Sequence, residues 1–148
     1  MSTRSRIGLL LDTEHVLSVY HHWDGYPSWL GVFLQQNYTT KEQVAELIDG
    51  GDISCINSDT DWERKELDKN IVLYYNDRGE KTEPRLDLNV EDYLENEYSA
   101  DEEYAYLLRM ANGYVMTLIL NNPFKLRRGL HHEIITSSQR SYCFERSI

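Results

Sequence analysis

The stretch IGLLLDTEHVLSVYHHWDGYPSWLGVFLQQ, residues 7–36, decides the fold of this chain. It contains two runs of apolar, β-branched and aromatic residues, 7–11 and 15–22, on either side of a polar turn. Two such runs around a short polar turn predict a β-hairpin. Pro27 then suits the first turn of a helix, and the apolar residues that follow it recur at helical spacing. The stretch therefore predicts a hairpin that runs directly into a helix.

Two more helices are predicted later in the chain. Thr40, followed three residues later by Gln43, matches a capping box and marks the start of the second helix. Gly50 and Gly51 end this helix, as expected for a left-handed C-terminal cap. A shorter helix is predicted over residues 90–98.

The remaining strand signals complete the fold prediction. Residues 71–76 (IVLYYN) predict a central strand, and residues 81–89 are expected to run irregularly over the surface. Asn112-Gly113 predicts a second hairpin between residues 103–110 and 114–120, because both turn residues tolerate positive φ. Segregated strands and helices favour an α+β fold. We expect an antiparallel sheet built from two hairpins and a central strand, with two or three short helices on one face.

The composition indicates one acidic domain. The chain has 148 residues, 25 of them acidic and 15 basic, and a formal net charge of −10. Excess negative charge disfavours direct nucleic-acid binding, which depends on Lys and Arg. The N-terminal apolar run is too short for a signal peptide, and no segment is long enough to span a membrane. Cys55 and Cys143 form no disulfide framework. We expect a cytoplasmic protein with a single domain at residues 1–122 and a basic tail or arm at 123–148.

Residues 20–27, YHHWDGYP, carry more chemistry than any other segment. Rings, imidazoles, a carboxylate, a glycine and a proline meet where a predicted strand joins a predicted helix, and such junctions often carry function. A structural role, with Asp24 as a cap and the aromatic rings in the core, explains the same residues. Neighbouring strand residues point to opposite faces, so both histidines do not easily reach one ligand. The candidate binding residues are His21, His22, Trp23, Asp24 and Tyr26.

Charged residues elsewhere complete the predicted binding set. Arg4, Arg6 and Arg78 reach the junction if the first hairpin and the strand at 71–76 are neighbours, and arginine binds phosphate bidentately. Glu80 joins this set. With the rings of the junction, these groups suit an anionic, nucleotide-like ligand. Solvated surface arginines are the alternative interpretation.

No catalytic motif appears in the chain. It contains no GxSxG, no phosphate-binding glycine loop, and no metal-ligand spacing of the CxxC or HExxH type. We therefore predict a binding protein rather than an enzyme, with no catalytic residue, metal or cofactor. One alternative is a small metal-dependent hydrolase or nuclease that uses the His-His-Trp-Asp junction. Another is an acidic nucleic-acid mimic that uses the carboxylates of residues 91–103.

Four segments together resemble a family of small proteins from tailed bacteriophages. They are STRSRI at residues 2–7, YHHWDGYPSWLGVFLQQNY at 20–38, GDIS at 51–54 and RGE at 78–80. The resemblance implies a phage accessory protein in the host bacterial cytosol, one that inhibits or sequesters a host or defence component. That component is either a protein or a small anionic, nucleotide-like ligand. The oligomeric state stays open, with a homo-oligomer among the options.

Overall fold

The computed structural model describes residues 2–56, 72–120 and 122. These residues form one mixed sheet of seven strands and three α-helices. The strands are β1 Ser5–Leu10, β2 Val16–His21, β3 Ile53–Ile56, β4 Val72–Tyr74, β5 Arg85–Asp87, β6 Tyr104–Ala111 and β7 Tyr114–Leu120. The helices are α1 Val32–Asn37, α2 Lys41–Asp49 and α3 Val90–Ser99, with a π-helical turn at Pro27–Gly31 and a 3-10 turn at Tyr75–Arg78.

The strand order is β4-β3-β2-β1-β6-β7, and β5 pairs with β2 beside β3. The α+β class is confirmed, but the purely antiparallel sheet is wrong, because β1 pairs with β6 and β2 pairs with β3 in parallel. Helices α1 and α2 lie between β2 and β3 in the chain, and α3 directly precedes β6, as parallel pairing requires longer connections than a hairpin turn.

The strand at residues 71–76 was predicted to be central, and this is wrong. It forms β4, which lies at one end of the strand order and is only partly buried. The centre of the sheet is instead the first hairpin, β1 and β2. Residues 81–89 contain a short strand, β5, which pairs with β2 through Leu86 opposite Leu17.

The local signals of the hairpins and helix caps are confirmed. Asn112 and Gly113 have φ angles of 53° and 84°, as the tight turn between β6 and β7 requires. Oγ1 of Thr40 accepts from the backbone N–H of Gln43, and the Gln43 side chain accepts from the backbone N–H of Thr40. Gly51, just beyond α2, is left-handed with a φ of 89°.

Helices cover both faces of the sheet, so the prediction of helices on one face is wrong. Along β6, Tyr106 and Leu108 join the core with α1 and α2, whereas Leu107 packs with Tyr93 and Leu94 of α3. Successive strand residues point to opposite faces, so α3 lies on the face opposite α1 and α2. The Tyr93 hydroxyl is fully buried and donates to backbone carbonyls of both β1 and β6.

None of the helices in the described parts of the chain has the length and apolar character needed to cross a membrane. The predicted tail at 123–148 lies outside the described residues. The proposed boundary of the domain after residue 122 therefore remains a prediction.

Candidate functional site

The junction after β2 is held in place by backbone hydrogen bonds to three other segments. The N–H of Trp23 donates to the Ser54 carbonyl at 2.9 Å. The N–H of Gly25 donates to the Thr3 carbonyl at 2.9 Å, and the carbonyl of Gly25 accepts from the Tyr106 hydroxyl at 2.7 Å. The junction is therefore tied to β3, to the N-terminal segment and to β6.

Gly25 lies where no larger residue fits. A Cβ at this position would be 2.4 Å from Oγ of Ser5 and 2.6 Å from the carbonyl oxygen of Thr3. Asp24, just before it, has a φ of 58°, a conformation that Asp tolerates better than most residues. This tight turn leaves Trp23 and Tyr26 on the surface, 42% and 38% exposed.

A group of rings forms around Trp23, and we call Tyr20, His22, Trp23 and Tyr75 the ring surface. Tyr20 and His22 lie two residues apart, so their side chains share the α3 side of the sheet. Oη of Tyr20 is 2.5 Å from Nδ1 of His22. The imidazole meets the indole of Trp23 edge-on, with ring centroids 4.7 Å apart. Tyr75 follows β4, and Asp52 links it to Tyr20: the Asp52 carbonyl accepts from the backbone N–H of Tyr75 at 3.1 Å, and its carboxylate accepts from the backbone N–H of Tyr20 at 3.0 Å.

Charged groups lie at the margins of the ring surface. The guanidinium of Arg78 stacks over the Tyr75 ring at 5.9 Å from the centroid, within the range of a cation–π contact. Ser5 pairs with His21 across β1 and β2, so Arg4, the residue before Ser5, lies near His22; burial, followed by the positive charge of Arg4, lowers the pKa of that imidazole. Arg4 forms an exposed ion pair with Asp101 at 3.4 Å. The carboxylate of Glu80 helps to raise the pKa of Tyr75, which places it on the same side.

Burial keeps the groups of the ring surface neutral at neutral pH. It raises the pKa of the Tyr20 hydroxyl to about 12. It also lowers the pKa of His22, and the nearby Arg4 lowers it further. Formal positive charge at this surface therefore comes from the arginines.

His21 lies on the opposite side of the sheet from His22. Its side chain is fully buried, and its Nδ1 is 3.4 Å from Oγ of Ser5. Among the described residues, Nε2 of His21 has no hydrogen-bond partner. Burial lowers the pKa of His21 to about 3, so this ring stays neutral. The hydrolase alternative requires convergence on Asp24 and Glu80, and His21 does not contribute to it from the buried face.

Arg6 is also buried, and it has partners inside the protein. Its Nε donates to both carboxylate oxygens of Glu102, at 2.9 and 3.2 Å, and its Nη1 donates to Oγ of Ser18 at 3.1 Å. Burial lowers the pKa of Arg6, but the attraction and hydrogen bonding of Glu102, together with smaller contributions from Tyr93 and Asp52, raise it above its ordinary value. Its guanidinium joins β1 to the segment before β6, and we leave it out of the ring surface.

The carboxylates of residues 91–103 do not lie in one exposed stripe. Glu97 and Glu102 are buried, at 0% and 2% exposure, whereas Asp101 and Glu103 are exposed. Asp101 and Glu103 both bond to Arg4. Two of the carboxylates that the acidic-mimic alternative would use are therefore buried, and two others are bonded to Arg4.

Two other features were considered as sites. A cavity of about 400 Å³ opens between the α1–α2 connection and β4, away from every predicted site residue. Its lining residues are Asn37, Tyr38, Gln43, Glu46, Leu47, Val72 and Tyr74. Within the described parts of the chain, no three His, Cys, Asp or Glu side chains cluster as metal ligands would.

The structure thus groups only some of the predicted site residues. Five of them lie at or around the ring surface: Arg4, His22, Trp23, Arg78 and Glu80. Two others, His21 and Arg6, are buried. Asp24 and Tyr26 shape the junction, and no contact among the described residues joins the Tyr26 ring to the other rings. The sequence analysis missed Tyr20 and Tyr75. Tyr20 was detectable as the residue two before His22, but Tyr75 reaches the site only through the pairing of β4.

Comparison with known proteins yields no match. No family model, no curated protein and no solved structure corresponds to this chain.

Proposed function

We propose that this chain is a binding protein that captures a small anionic ligand of the nucleotide type on the ring surface. One observation carries the proposal. Trp23 is 42% exposed on a junction fixed by backbone hydrogen bonds, with the His22 ring perpendicular to the indole at a centroid distance of 4.7 Å. An indole held exposed in this way gives a ligand ring a rigid platform, which lowers the entropy that binding must overcome.

The groups around Trp23 match the parts of a nucleotide. Aromatic side chains stack on bases of any sequence, and arginine binds phosphate through several N–H groups. Arg4 and Arg78 supply positive charge on a chain whose formal net charge is −10. Such a chain repels long polyanions, so we propose a small ligand rather than DNA or RNA.

The biological setting of this proposal comes from the resemblance to tailed-phage proteins. A phage accessory protein that sequesters a small nucleotide-like ligand would remove that ligand from a host or defence pathway. Binding alone is sufficient for this role, and no chemical step is required. The ligand should therefore leave the protein unchanged.

Isothermal titration with AMP, ATP and a cyclic dinucleotide tests the proposal. We expect at least one of these probes to bind, and Trp23→Ala to weaken its binding about tenfold or more, as loss of a stacking ring does. Tyr114→Ala is the matched control, because Tyr114 is 57% exposed at the distant β6–β7 hairpin. Arg4→Ala should also weaken binding, whereas Arg109→Ala, an exposed arginine on β6, should not.

Several results would contradict the proposal. One is the absence of binding by every nucleotide probe. A second is an equal loss of affinity in the Trp23 and Tyr114 variants. Conversion of the bound nucleotide during incubation, detected by chromatography, would favour the hydrolase alternative. A host protein recovered in stoichiometric amount without any nucleotide would favour a protein partner.

A further inference from the structure

We infer that His22 donates a hydrogen bond to an anionic oxygen of the ligand, and that Tyr20 positions it by holding its proton on Nε2. The inference rests on the proposed function and deepens it, since it assigns one atom of the ring surface to one chemical group of the ligand.

The contact between Tyr20 and His22 selects the form of the imidazole. Oη of Tyr20 and Nδ1 of His22 are 2.5 Å apart, a short distance for a hydrogen bond. A phenol is a good donor, and the unprotonated nitrogen of a neutral imidazole is a good acceptor. When Nδ1 accepts the phenol proton, the proton of the neutral ring resides on Nε2.

The protonation states of both groups agree with this arrangement. Burial raises the pKa of the Tyr20 hydroxyl to about 12, so the phenol keeps the proton that it donates. Burial and the charge of Arg4 lower the pKa of His22, so the ring is neutral at neutral pH. A neutral ring has one N–H group, and the contact of Nδ1 with Tyr20 leaves that group at Nε2.

Nε2 of His22 is available to a ligand. Among the described residues, no hydrogen-bonding group contacts this nitrogen. It is also not one of the polar atoms that are buried without a hydrogen-bond partner. The imidazole and the indole of Trp23 are perpendicular, with ring centroids 4.7 Å apart, so a ligand that stacks on the indole is also close to the His22 ring.

The surroundings of Nε2 favour an anionic oxygen. The nearby Arg4 is paired with Asp101 at 3.4 Å, and the two side chains are 42% and 90% exposed. An ion pair this exposed is weak, so Arg4 can exchange Asp101 for a ligand. An N–H donor and a guanidinium then face the same space. A metal ion does not suit Nε2 in this form, because the nitrogen carries a proton instead of a free lone pair. Phosphate and carboxylate groups share the required oxygen.

The form of the imidazole is measured by ¹⁵N NMR of the full chain labelled at histidine, at neutral pH and without ligand. The His22 signals are assigned by their loss in His22→Gln. We expect Nε2 to be the protonated nitrogen and Nδ1 the unprotonated one. Tyr20→Phe should convert this single form into a mixture of the two. A proton found on Nδ1 in the unmodified protein would overturn the inference.

The donor role is measured by titration with the nucleotide probe that binds best. His22→Ala should weaken binding about tenfold to a hundredfold, the range for a hydrogen bond to a charged group. His22→Gln restores an N–H near the position of Nε2 and should recover most of that loss. His15→Ala, in the turn between β1 and β2, is the control and should bind as the unmodified protein does.

Competition by small anions identifies the oxygen. Inorganic phosphate that displaces the nucleotide supports a phosphoryl group, and acetate that displaces it equally well supports a carboxylate. Displacement by neither anion would overturn the inference. If the nucleotide binds and Trp23→Ala removes binding while His22→Ala does not, the inference fails and the proposed function stands. If no nucleotide binds, both fail, whichever nitrogen carries the proton.

Discussion

At the scale of single residues, two neighbouring histidines have opposite roles because they point to opposite faces of β2. His22 is half-buried among rings at the surface, whereas His21 is fully buried beside Ser5. A one-residue difference in a strand thus separates a candidate ligand donor from a core residue. The sequence analysis anticipated the alternation but did not establish which histidine would be buried.

Burial of His21 predicts a loss of stability in mild acid. Its pKa is about 3 in the folded state and 6.5 for an ordinary histidine. Between these values the unfolded chain binds a proton that the folded protein excludes, so stability falls as the pH is lowered below 6.5. A single group of this kind contributes about 1.4 kcal/mol per pH unit.

Urea unfolding at pH 6, 5 and 4 measures this effect. His21→Met, which cannot titrate, should show a shallower decline in the free energy of unfolding than the unmodified protein. His15→Gln removes a partly exposed histidine instead and should keep the steeper decline. Equal slopes for the unmodified protein and His21→Met would show that His21 is not the buried neutral group.

At the scale of elements, a buried ion pair ties β1 to the segment that leads into β6. Arg6 and Glu102 are 96 positions apart in the chain, and their side chains are 10% and 2% exposed. Burial raises the pKa of Glu102, and the attraction of Arg6 opposes this shift. The Arg6–Glu102 ion pair lies next to the parallel pairing of β1 and β6, so it forms only when these two strands are paired.

Removal of one partner should destabilise the protein strongly. Arg6→Met leaves the Glu102 carboxylate buried without its cation, and we expect a loss of about 3–5 kcal/mol in the free energy of unfolding. The double variant Arg6→Met/Glu102→Leu removes both charges and should recover most of this loss. The exposed pair offers a matched control, because Arg4→Met should cost less than about 1 kcal/mol. Denaturant unfolding of the four proteins at pH 7 checks the prediction, and similar losses for Arg4→Met and Arg6→Met would refute it.

At the scale of the whole molecule, one sheet carries helices on both faces, and Asn122 packs on the α3 side. Asn122 is buried, and its side-chain amide donates to the Leu94 carbonyl at 2.7 Å and to Oε1 of Glu97 at 2.6 Å. These bonds attach the segment after β7 to α3. Asn122 therefore belongs to the packed domain, and a domain boundary just after this residue stays a prediction.

A chain that ends at Asn122 should therefore fold by itself. We expect residues 1–122 to unfold in one cooperative transition and to bind the nucleotide probe as the full chain does. Asn122→Ala in this shortened chain should lose about 1–3 kcal/mol, because it leaves buried acceptors on α3 without their donor. Thermal and urea unfolding provide the measurement. Failure of residues 1–122 to fold would place the boundary later in the chain.

The sequence by itself determined the features whose causes lie within a few residues. The turn at Asn112-Gly113, the capping box at Thr40 and the first hairpin each depend on local backbone preferences and hydrogen bonds. The same local reasoning identified His22 and Trp23 as binding candidates. These features form in the predicted places because no distant part of the chain is needed to explain them.

Only the tertiary structure decided how these pieces meet. Four features involve residues far apart in sequence. They are the parallel pairing of β1 with β6, the position of α3, the burial of Arg6 against Glu102 and the proximity of Tyr75 to Tyr20. Such contacts depend on which apolar faces and charges find partners across the whole fold, and strand and helix patterns do not encode that choice locally. Part of the ring surface can therefore be predicted from the sequence. The charged residues around it and the hydrogen bonds among its rings result from tertiary packing.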